Sequence, residues 1–363
     1  MQIDQIILHD FSLKLARPFI VRDEALSVRE GIIVELITDK GMIGLGEASP
    51  LPGFSVEPLK KTRHQLQLLA EDWKGQSLPS DSAGAMAWLT HAFAKEICCP
   101  SVRFGLESAI LMAAARTRGR SVCEFIKPGS GKAVHSAGLL QGSLPEVIDQ
   151  ARKLKVRGFT TFKLKVGSRN IPLDVRKVED VKSVLGPQAR LRLDANRAWR
   201  FDEALLFAQN IGKNQIDFIE EPTAELDKWE LLFRRSDIPL AVDESLAERS
   251  YDDLAATRGM SCFVVKPTVR GGVIGFMDIL AKAHSSGQKV VVSSSFESGV
   301  GQVMLANLAA LTGEVAGLGS MNWFADDLLT VPLAAPSGLI PPIRFDLCID
   351  DLNAEWRRCR ELV

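Results

Sequence analysis

Five short apolar runs in this chain each end in a charged residue, and they recur at nearly regular intervals. The end residues are Lys165, Asp194, Glu220, Asp243 and Lys266. Successive ends are 29, 26, 23 and 23 residues apart (165 to 194, 194 to 220, 220 to 243, 243 to 266), which is room for a strand, two short loops and a helix. Charges at the ends of buried parallel strands are costly unless they line a site, and a β/α barrel collects its catalytic residues there. The spacing therefore predicts a barrel with a polar site at one mouth.

Composition limits the classes of protein to which the chain can belong. At 363 residues it has room for one barrel and a smaller unit, and a net charge of −1 without a basic run argues against nucleic acid or an anionic membrane as partner. No apolar run reaches the length of a membrane span, and the first residues do not resemble a signal peptide. Six cysteines show no metal-binding spacing. We expect a reduced, cytoplasmic protein, for which an oligomeric state is possible.

The periodicity of apolar residues divides the chain into three parts: residues 1–130, 131–320 and 321–363. The first part opens with strand signals at residues 3–15, 31–37 and 42–45, joined in part by a hairpin turn, and becomes helical from residue 55. A linker at 127–132 precedes alternating strands and helices, which are typical of a parallel sheet. A first strand is predicted at 134–140, seven strands are clear, and an eighth at 315–318 is weak.

The charged strand ends have the composition of a metal site flanked by amines. Lys163 and Lys165 are two positions apart on a strand, so both point to one face. Asp194, Glu220 and Asp243 offer the oxygen ligands that suit Mg²⁺, with Mn²⁺ as an alternative. Alternation alone leaves open whether two of these ligands exchange roles with their neighbours, Glu221 and Glu244.

These residue types together indicate proton abstraction next to a carboxylate. A Mg²⁺ ion that holds a substrate carboxylate makes the adjacent α-proton acidic, because the resulting enediolate is stabilised by the cation. The predicted partner is therefore a small-molecule carboxylate. Lys165 can take the proton, and Lys266, on the opposite side of the barrel, can act as a second acid or base or as a cation beside the intermediate.

Longer stretches of the sequence resemble the enolase superfamily, in its muconate-lactonizing subgroup, and within it the o-succinylbenzoate synthase family. The matching stretches are residues 46–55 (GEASPLPGFS), 100–105 (PSVRFG), 162–167 (FKLKVG), 192–199 (RLDANRAW), 220–222 (EEP), 243–246 (DESL), 266–268 (KPT) and 293–298 (SSSFES). They follow the order of the family over nearly the whole chain.

The resemblance implies an α/β fold, a modified TIM barrel (β/α)7β with an α+β capping domain to which the C-terminal segment returns. It also selects Glu220 and Asp243 as metal ligands over their neighbours. Lys165 would then be the base, Lys163 would contact the substrate carboxylate, and Lys266 would lie as a cation against the enediolate.

The same resemblance implies a substrate pocket and a reaction. The residues expected to bind substrate are Arg192, Asn196, Ser293, Gly317 and Phe54. Two cap loops, residues 19–23 and 50–55, would close over the site. The implied reaction is the Mg²⁺-dependent dehydration of 2-succinyl-6-hydroxy-2,4-cyclohexadiene-1-carboxylate to o-succinylbenzoate in menaquinone biosynthesis, by a carbon–oxygen lyase.

Two alternatives stay open at this stage. One is a racemase of N-acylamino acids or an epimerase of dipeptides, which would use the same lysines, and the other is a non-catalytic scaffold. Gly319 and Met321 stand where related dipeptide epimerases carry a pair of aspartates for the substrate ammonium, which argues against dipeptides. No histidine follows the seventh strand, which argues against the histidine-based chemistry of the mandelate racemase branch.

Overall fold

Two sheets of opposite kind organise the molecule. The computed structural model describes residues 1–21, 24–94, 97–212, 216–331, 333 and 337–343. The first sheet is antiparallel and has the order β1–β2–β3; the second is parallel and has seven strands. No helix in the described parts of the chain is both long and apolar enough to cross a bilayer.

The antiparallel sheet forms from the first three strands, as the sequence predicts. Its strands are β1 (Ile3–Val21), β2 (Glu24–Thr38) and β3 (Ile43–Ala48). The first two strands are longer than predicted and pair as far as Val21 and Glu24. The ladder is irregular between Lys14 and Phe19, where Pro18 has no amide hydrogen to contribute. This extension contains part of the predicted cap loop 19–23; residues 22 and 23 lie outside the described residues.

Four helices follow this sheet in the chain, and the first and third of them pack on its strands. They are α1 (Leu59–Trp73), α2 (Ser82–Ala92), α3 (Pro100–Arg116) and α4 (Val122–Ile126). Helix α3 is buried along most of its length and packs directly on β3. A Cβ atom on Gly44 or Gly46 would lie 1.9 Å from the carbonyl oxygen of Ala109 or Gly105, so only glycine permits this close approach.

Parallel strands alternate with helices through the second part of the chain. The strands are β4 (Val134–His135), β5 (Gly138–Leu140), β6 (Thr161–Lys165), β7 (Arg190–Asp194), β8 (Phe218–Glu220), β9 (Leu240–Val242), β10 (Met260–Val265) and β11 (Lys289–Val292). The helices are α5 (Leu144–Val156), α6 (Ile171–Leu185), α7 (Phe201–Ile211), α8 (Trp229–Ser236), α9 (Tyr251–Ala255), α10 (Gly272–Ser285) and α11 (Gly299–Thr312). Strands β5 to β11 pair in chain order, and Asp194 is the register partner of both Lys165 and Glu220. Three of the charged strand ends are therefore side by side.

Two details differ from the predicted strands. The single strand expected at 134–140 is split, because β4 pairs antiparallel with β12 (Leu339–Ile340) and only β5 joins the parallel sheet. The weak eighth strand is reduced to single bridges, from Ala316 to Ser136 and from Gly317 to Ser293. These bridges connect the two edges of the sheet and close the barrel.

The described C-terminal part of the chain contacts the start of the barrel region and the antiparallel sheet. Strand β12 pairs with β4, and the amide of Ala325 donates to the carbonyl of Lys14 on β1 at 2.9 Å. This contact agrees with the expectation that the segment returns to the cap. Residues 344–363 lie outside the described residues, and the domain boundaries at 130 and 320 stay predictions.

Candidate active site

A cavity of about 820 Å³ opens at the carboxyl ends of the barrel strands, between the strand ends and the cap segment 51–56. Every residue that the sequence predicts for the site lines its wall. These residues are Lys163, Lys165, Lys266, Asp194, Glu220, Asp243, Arg192, Asn196, Ser293, Gly317 and Phe54. The structure therefore brings together residues that are up to 263 positions apart (54 to 317).

Buried carboxylates and lysines alternate around the mouth of the barrel. The Nζ of Lys163 lies 2.7 Å from Oδ2 of Asp194 and 2.8 Å from Oε1 of Glu220, and the Nζ of Lys165 lies 2.6 Å from the same Oδ2. Lys266 pairs with Asp243 on the other side. Lys165 is on β6 and Lys266 directly follows β10. The two amines therefore approach the cluster of carboxylates from strands that are not adjacent.

Electrostatics in this cluster are dominated by burial and by mutual repulsion. Burial and the charge of Asp194 raise the pKa of Glu220 to about 8. Burial also disfavours the ionised form of Asp194, but the adjacent Lys163 and Lys165 outweigh it and lower its pKa well below the ordinary value. For Lys163, the neighbouring carboxylates outweigh the cost of burial and raise the pKa. The two neighbouring carboxyl groups therefore shift in opposite directions, Glu220 towards the protonated form and Asp194 towards the ionised form.

The structure shows how the two acidic residues at each strand end divide their roles. Oε1 of Glu221 accepts hydrogen bonds from the amides of Asp243 and Ser245, both at 2.8 Å, and Oε2 accepts from Nε of Arg197 at 2.7 Å. Its backbone adopts φ +47°, in the left-handed region that a glutamate rarely occupies. Glu221 therefore holds the end of β9 in place, a function that the sequence interpretation did not assign to it.

Glu244, the acidic neighbour of Asp243, is also held by a hydrogen bond. Oε1 of Glu244 accepts a hydrogen bond from Nδ2 of Asn196 at 2.9 Å, while Oδ1 of Asn196 accepts one from Nζ of Lys165 at 2.6 Å. Asn196 thus connects Lys165 to Glu244 instead of projecting freely into the cavity. This arrangement leaves Asp243 as the acidic group beside Lys266.

Arg192 is directed to the floor of the cavity. Its NH1 donates to the carbonyl of Val315 at 2.7 Å, and its other nitrogens lie 3.6 Å from Asp217 and 3.7 Å from Glu314. Its guanidinium carbon is 5.5 Å from the ring centre of Phe218. The contacts that the structure shows for Arg192 are therefore with the base of the barrel.

Two family models match the chain in sequence. The model for the MenC N-terminal domain matches residues 3–113, and a model described as enolase C-terminal domain-like matches residues 146–342. An o-succinylbenzoate synthase of Vibrio cholerae serotype O1 (strain ATCC 39315 / El Tor Inaba N16961) is 34% identical over 359 residues, which cover 96% of this chain and 97% of that protein. The chain belongs to the o-succinylbenzoate synthase family.

Two further similarities are with a longer plant protein and with a solved structure of the same fold. Protein PHYLLO, chloroplastic, of Arabidopsis thaliana is 31% identical over 368 residues, which cover 90% of this chain but only 21% of that longer protein. The crystal structure of the N-succinyl Arg/Lys racemase from Bacillus cereus ATCC 14579 superposes with a TM-score of 0.84 at 22% identity, and covers 100% of this chain and 98% of that one. The enolase-like barrel with its cap is confirmed, and so is the enzyme class expected from the sequence.

Enzymes of the enolase superfamily generally use Mg²⁺, and the oxygen donors at the strand ends of this chain fit that ion. Asp194, Glu220 and Asp243 are at most 3% exposed and supply only oxygen. In the structure these three carboxylates contact lysine side chains. Among the described residues, no three acidic, histidine or cysteine side chains are close enough together to hold a metal ion. Burial, and after it the charge of Asp194, raises the pKa of Glu220, and a divalent cation held here would favour the ionised form of this carboxyl group.

The cavity wall beside Ser293 and Gly317 contains groups that the sequence interpretation missed. The hydroxyls of Ser294 and Ser320 are 2.6 Å apart, and Nε2 of the buried Gln302 donates to Oγ of Ser320 at 3.0 Å. Both serines line the cavity beside Ser293 and Gly317. Ser294 lies in one of the matching stretches, so the signal was present, but Gln302 is on α11 and only the fold brings it to this wall.

The cap closes the cavity with an aromatic ring. The Nζ of Lys266 lies 4.5 Å from the ring centre of Phe54. The loop that carries Phe54 is a tight turn, because the amides of Phe54 and Ser55 both donate to the carbonyl of Leu51. A cation held against an aromatic face in a partly dehydrated cavity is stabilised by about 1–2 kcal/mol.

Proposed function

We propose that the protein dehydrates 2-succinyl-6-hydroxy-2,4-cyclohexadiene-1-carboxylate to o-succinylbenzoate, as a Mg²⁺-dependent carbon–oxygen lyase of menaquinone biosynthesis. The observation that carries the proposal is the pair Lys165 and Lys266, which flank one group of buried strand-end carboxylates from opposite sides. Enzymes of this superfamily generally use Mg²⁺. The bound ion would hold the substrate carboxylate through Asp194, Glu220 and Asp243 and make the α-proton acidic.

The lysines divide the proton chemistry between them. Lys165, in its neutral form, takes the proton from the α-carbon, and the electron pair of that C–H bond forms the enediolate. The C–O bond to the hydroxyl group then breaks, the new C=C bond completes the aromatic ring, and the Lys165 ammonium returns its proton to the departing oxygen, so that water leaves.

The remaining charged groups stabilise the intermediate without exchanging a proton. Lys266 faces the enediolate oxygens as a cation, and Lys163, buried between Asp194 and Glu220, contacts the substrate carboxylate. The hydroxyls of Ser293, Ser294 and Ser320 offer donors for the carboxylate at the end of the succinyl group. Asn196 orients the Lys165 amine through their 2.6 Å hydrogen bond.

One alternative reaction has support from the same lysine arrangement. Two amines on opposite faces of an α-carbon are the geometry for racemisation, so an N-acylamino acid racemase remains the second candidate. A dipeptide epimerase is disfavoured, because glycine stands at position 319 in the cavity wall and a buried substrate ammonium without a partner would cost several kcal/mol. A non-catalytic scaffold would have no need to keep five charged strand ends in one cavity.

The deciding experiment compares substrates on one preparation of the purified protein. The cyclohexadiene substrate, a panel of N-succinylamino acids and a panel of dipeptides are assayed with Mg²⁺ present. We expect the highest kcat/KM for dehydration and the lowest for dipeptides. A higher kcat/KM for racemisation of an N-succinylamino acid would transfer the assignment to the racemase, and no turnover of any substrate would favour the scaffold.

A further inference from the structure

One buried arginine links the cap to the barrel at the edge of the cavity. Arg29, on β2, is 2% exposed. Its NH2 donates to the carbonyl of Ser49 at 2.9 Å and its NH1 to that of Pro50 at 3.1 Å, both at the start of the cap loop. Its Nε donates to the carbonyl of Phe296 at 3.1 Å and its NH2 to that of Ser295 at 3.4 Å, both after the last barrel strand.

This guanidinium is held in an unusual way for a buried charge. The hydrogen bonds that the structure describes for Arg29 all go to main-chain carbonyls, and burial lowers its pKa. The carboxylates of Glu47 and Glu297 oppose that shift through their charge without a hydrogen bond to the guanidinium. An apolar side chain of similar length would avoid the cost of dehydrating this charge. What the guanidinium adds is a planar fork of donors that reaches two loops at once.

On the cap side, Arg29 holds the base of the turn that presents Phe54. Pro50 directly precedes Leu51, whose carbonyl accepts the amides of Phe54 and Ser55. The ring of Phe54 then lies 4.5 Å from the Nζ of Lys266. A shift of the Pro50 carbonyl would be transmitted through this short turn to the aromatic ring over the lysine.

On the barrel side, Arg29 holds a strained residue. Phe296 has φ +61°, which is an outlier for a bulky side chain, and its ring packs edge-on against Trp323 at 5.8 Å between ring centres. Both rings line the cavity. A strained backbone persists only where its surroundings hold it, and the hydrogen bond from Arg29 to the Phe296 carbonyl is one of the contacts that do so.

We propose that Arg29 is a positioning residue that sets two aromatic walls of the cavity together, Phe54 from the cap and Phe296 from the barrel. It does not touch the reacting atoms and acts through the carbonyls of both loops. The expected change in kcat and KM rests on the proposed function, whereas the expected change in the structure of the two loops does not. With Arg29 in place, the side chains of Phe54 and Phe296 line the same cavity from the cap and from the barrel.

The experiment compares Arg29→Met and Arg29→Lys with a matched control, Arg116→Met. Arg116 is a half-buried arginine of the cap that likewise donates to a main-chain carbonyl, that of Ile43 at 2.8 Å, and it does not line the cavity. Amide hydrogen exchange is followed by mass spectrometry in residues 49–56 and 293–298. In parallel, kcat, KM and the Mg²⁺ concentration for half-maximal activity are measured with the cyclohexadiene substrate.

For Arg29→Met we expect faster exchange in both segments together and a fall in kcat/KM of about 10²-fold, the cost of a misplaced cavity wall. Most of this fall should be in KM, and the Mg²⁺ requirement should not change, because Arg29 contacts none of the carboxylates. The exchange rates and the kcat/KM of Arg29→Lys should lie between those of wild type and Arg29→Met, since an ammonium cannot span both loops. Arg116→Met should change neither the exchange of these segments nor KM.

Unchanged exchange in either segment of Arg29→Met would overturn the proposal, and so would equal effects of Arg29→Met and Arg116→Met. If Arg29→Met unfolds, Arg29→Lys alone decides the matter by the same two readings. If the wild-type protein does not turn over the cyclohexadiene substrate, the proposed function fails, and hydrogen exchange still tests the role of Arg29 independently.

Discussion

Oε2 of Glu47 accepts a 2.5 Å hydrogen bond from Oγ of Ser298, so the last strand of the capping sheet, β3, contacts the amino end of a barrel helix, α11. The same carboxylate accepts the amides of Ser298 and Gly301, at 3.1 and 2.9 Å, and the hydroxyl of Ser49 at 2.6 Å. Four donors and the dipole of α11 favour the ionised form, but complete burial outweighs them and raises the pKa of Glu47 to about 7.

This raised pKa makes stability depend on pH in a definite direction. Because the pKa of Glu47 rises from 4.5 to about 7 on folding, the native protein binds more protons than the unfolded chain between these values. Its contribution to the free energy of unfolding is therefore present below pH 4.5 and is lost as the pH rises to about 7. A glutamine at this position does not titrate, and at every pH it offers one acceptor oxygen where the carboxylate of Glu47 offers two.

We expect Glu47→Gln to be less stable than wild type at pH 4.5, with a deficit that narrows by on the order of 3 kcal/mol by pH 7.5. Urea unfolding at several pH values measures this difference. Glu179→Gln, on the exposed face of α6, is the control and should follow wild type. A deficit that stays constant across this range would show that Glu47 does not change its protonation on folding.

Removal of divalent cations should abolish turnover while the barrel stays folded. Asp194, Glu220 and Asp243 repel one another without a cation, so the strand ends would loosen, but the apolar core does not depend on them. Activity and far-ultraviolet circular dichroism are recorded before and after EDTA treatment, and again after Mg²⁺ or Mn²⁺ is restored. Full activity in metal-free protein would contradict the prediction.

Alanine substitutions of Lys165 and Lys266 should lower turnover for different reasons. Lys165→Ala should lower turnover by at least about 10³-fold, within the range of general base catalysis, and should stop deuterium exchange at the α-carbon of a bound analogue. Lys266→Ala should be severe as well, through loss of positive charge beside the enediolate. Lys153→Ala, on the exposed side of α5, is the control. Exchange that persists in Lys165→Ala would transfer the role of base to Lys266.

The hydroxyl wall should affect binding more than chemistry. Ser320→Ala removes the group that joins Ser294 to Gln302, and we expect KM to rise about tenfold with little change in kcat, as for the loss of one hydrogen bond of about 1–1.5 kcal/mol. Steady-state kinetics beside the control Ser285→Ala, whose hydroxyl is exposed on α10, measure this effect. A fall in kcat with constant KM would place Ser320 in the chemical step instead.

Much of the fold and of the site could be predicted because both follow from short-range patterns. The repeat of strand and helix predicts the barrel, and in such a barrel every strand ends at the same mouth, so Lys165, Asp194, Glu220, Asp243 and Lys266 had to meet. The split of the predicted first strand could not be predicted in the same way. Residues 134–135 pair with Leu339 and Ile340, and such a partner leaves no trace in the local pattern.

The sequence by itself determined which residues gather at the strand ends, because alternation and spacing are properties of neighbouring residues. Only the tertiary structure decided which hydrogen-bond donor each side-chain or main-chain oxygen contacts. Glu220 and Glu221 carry the same side chain, but Glu220 lines the cavity, whereas Glu221 accepts hydrogen bonds from the amides of Asp243 and Ser245. Arg29 and Phe296 are 267 positions apart, and only the closure of the cap on the barrel brings them within hydrogen-bonding distance. Such contacts depend on where whole elements pack, and that is settled by burial across the entire chain.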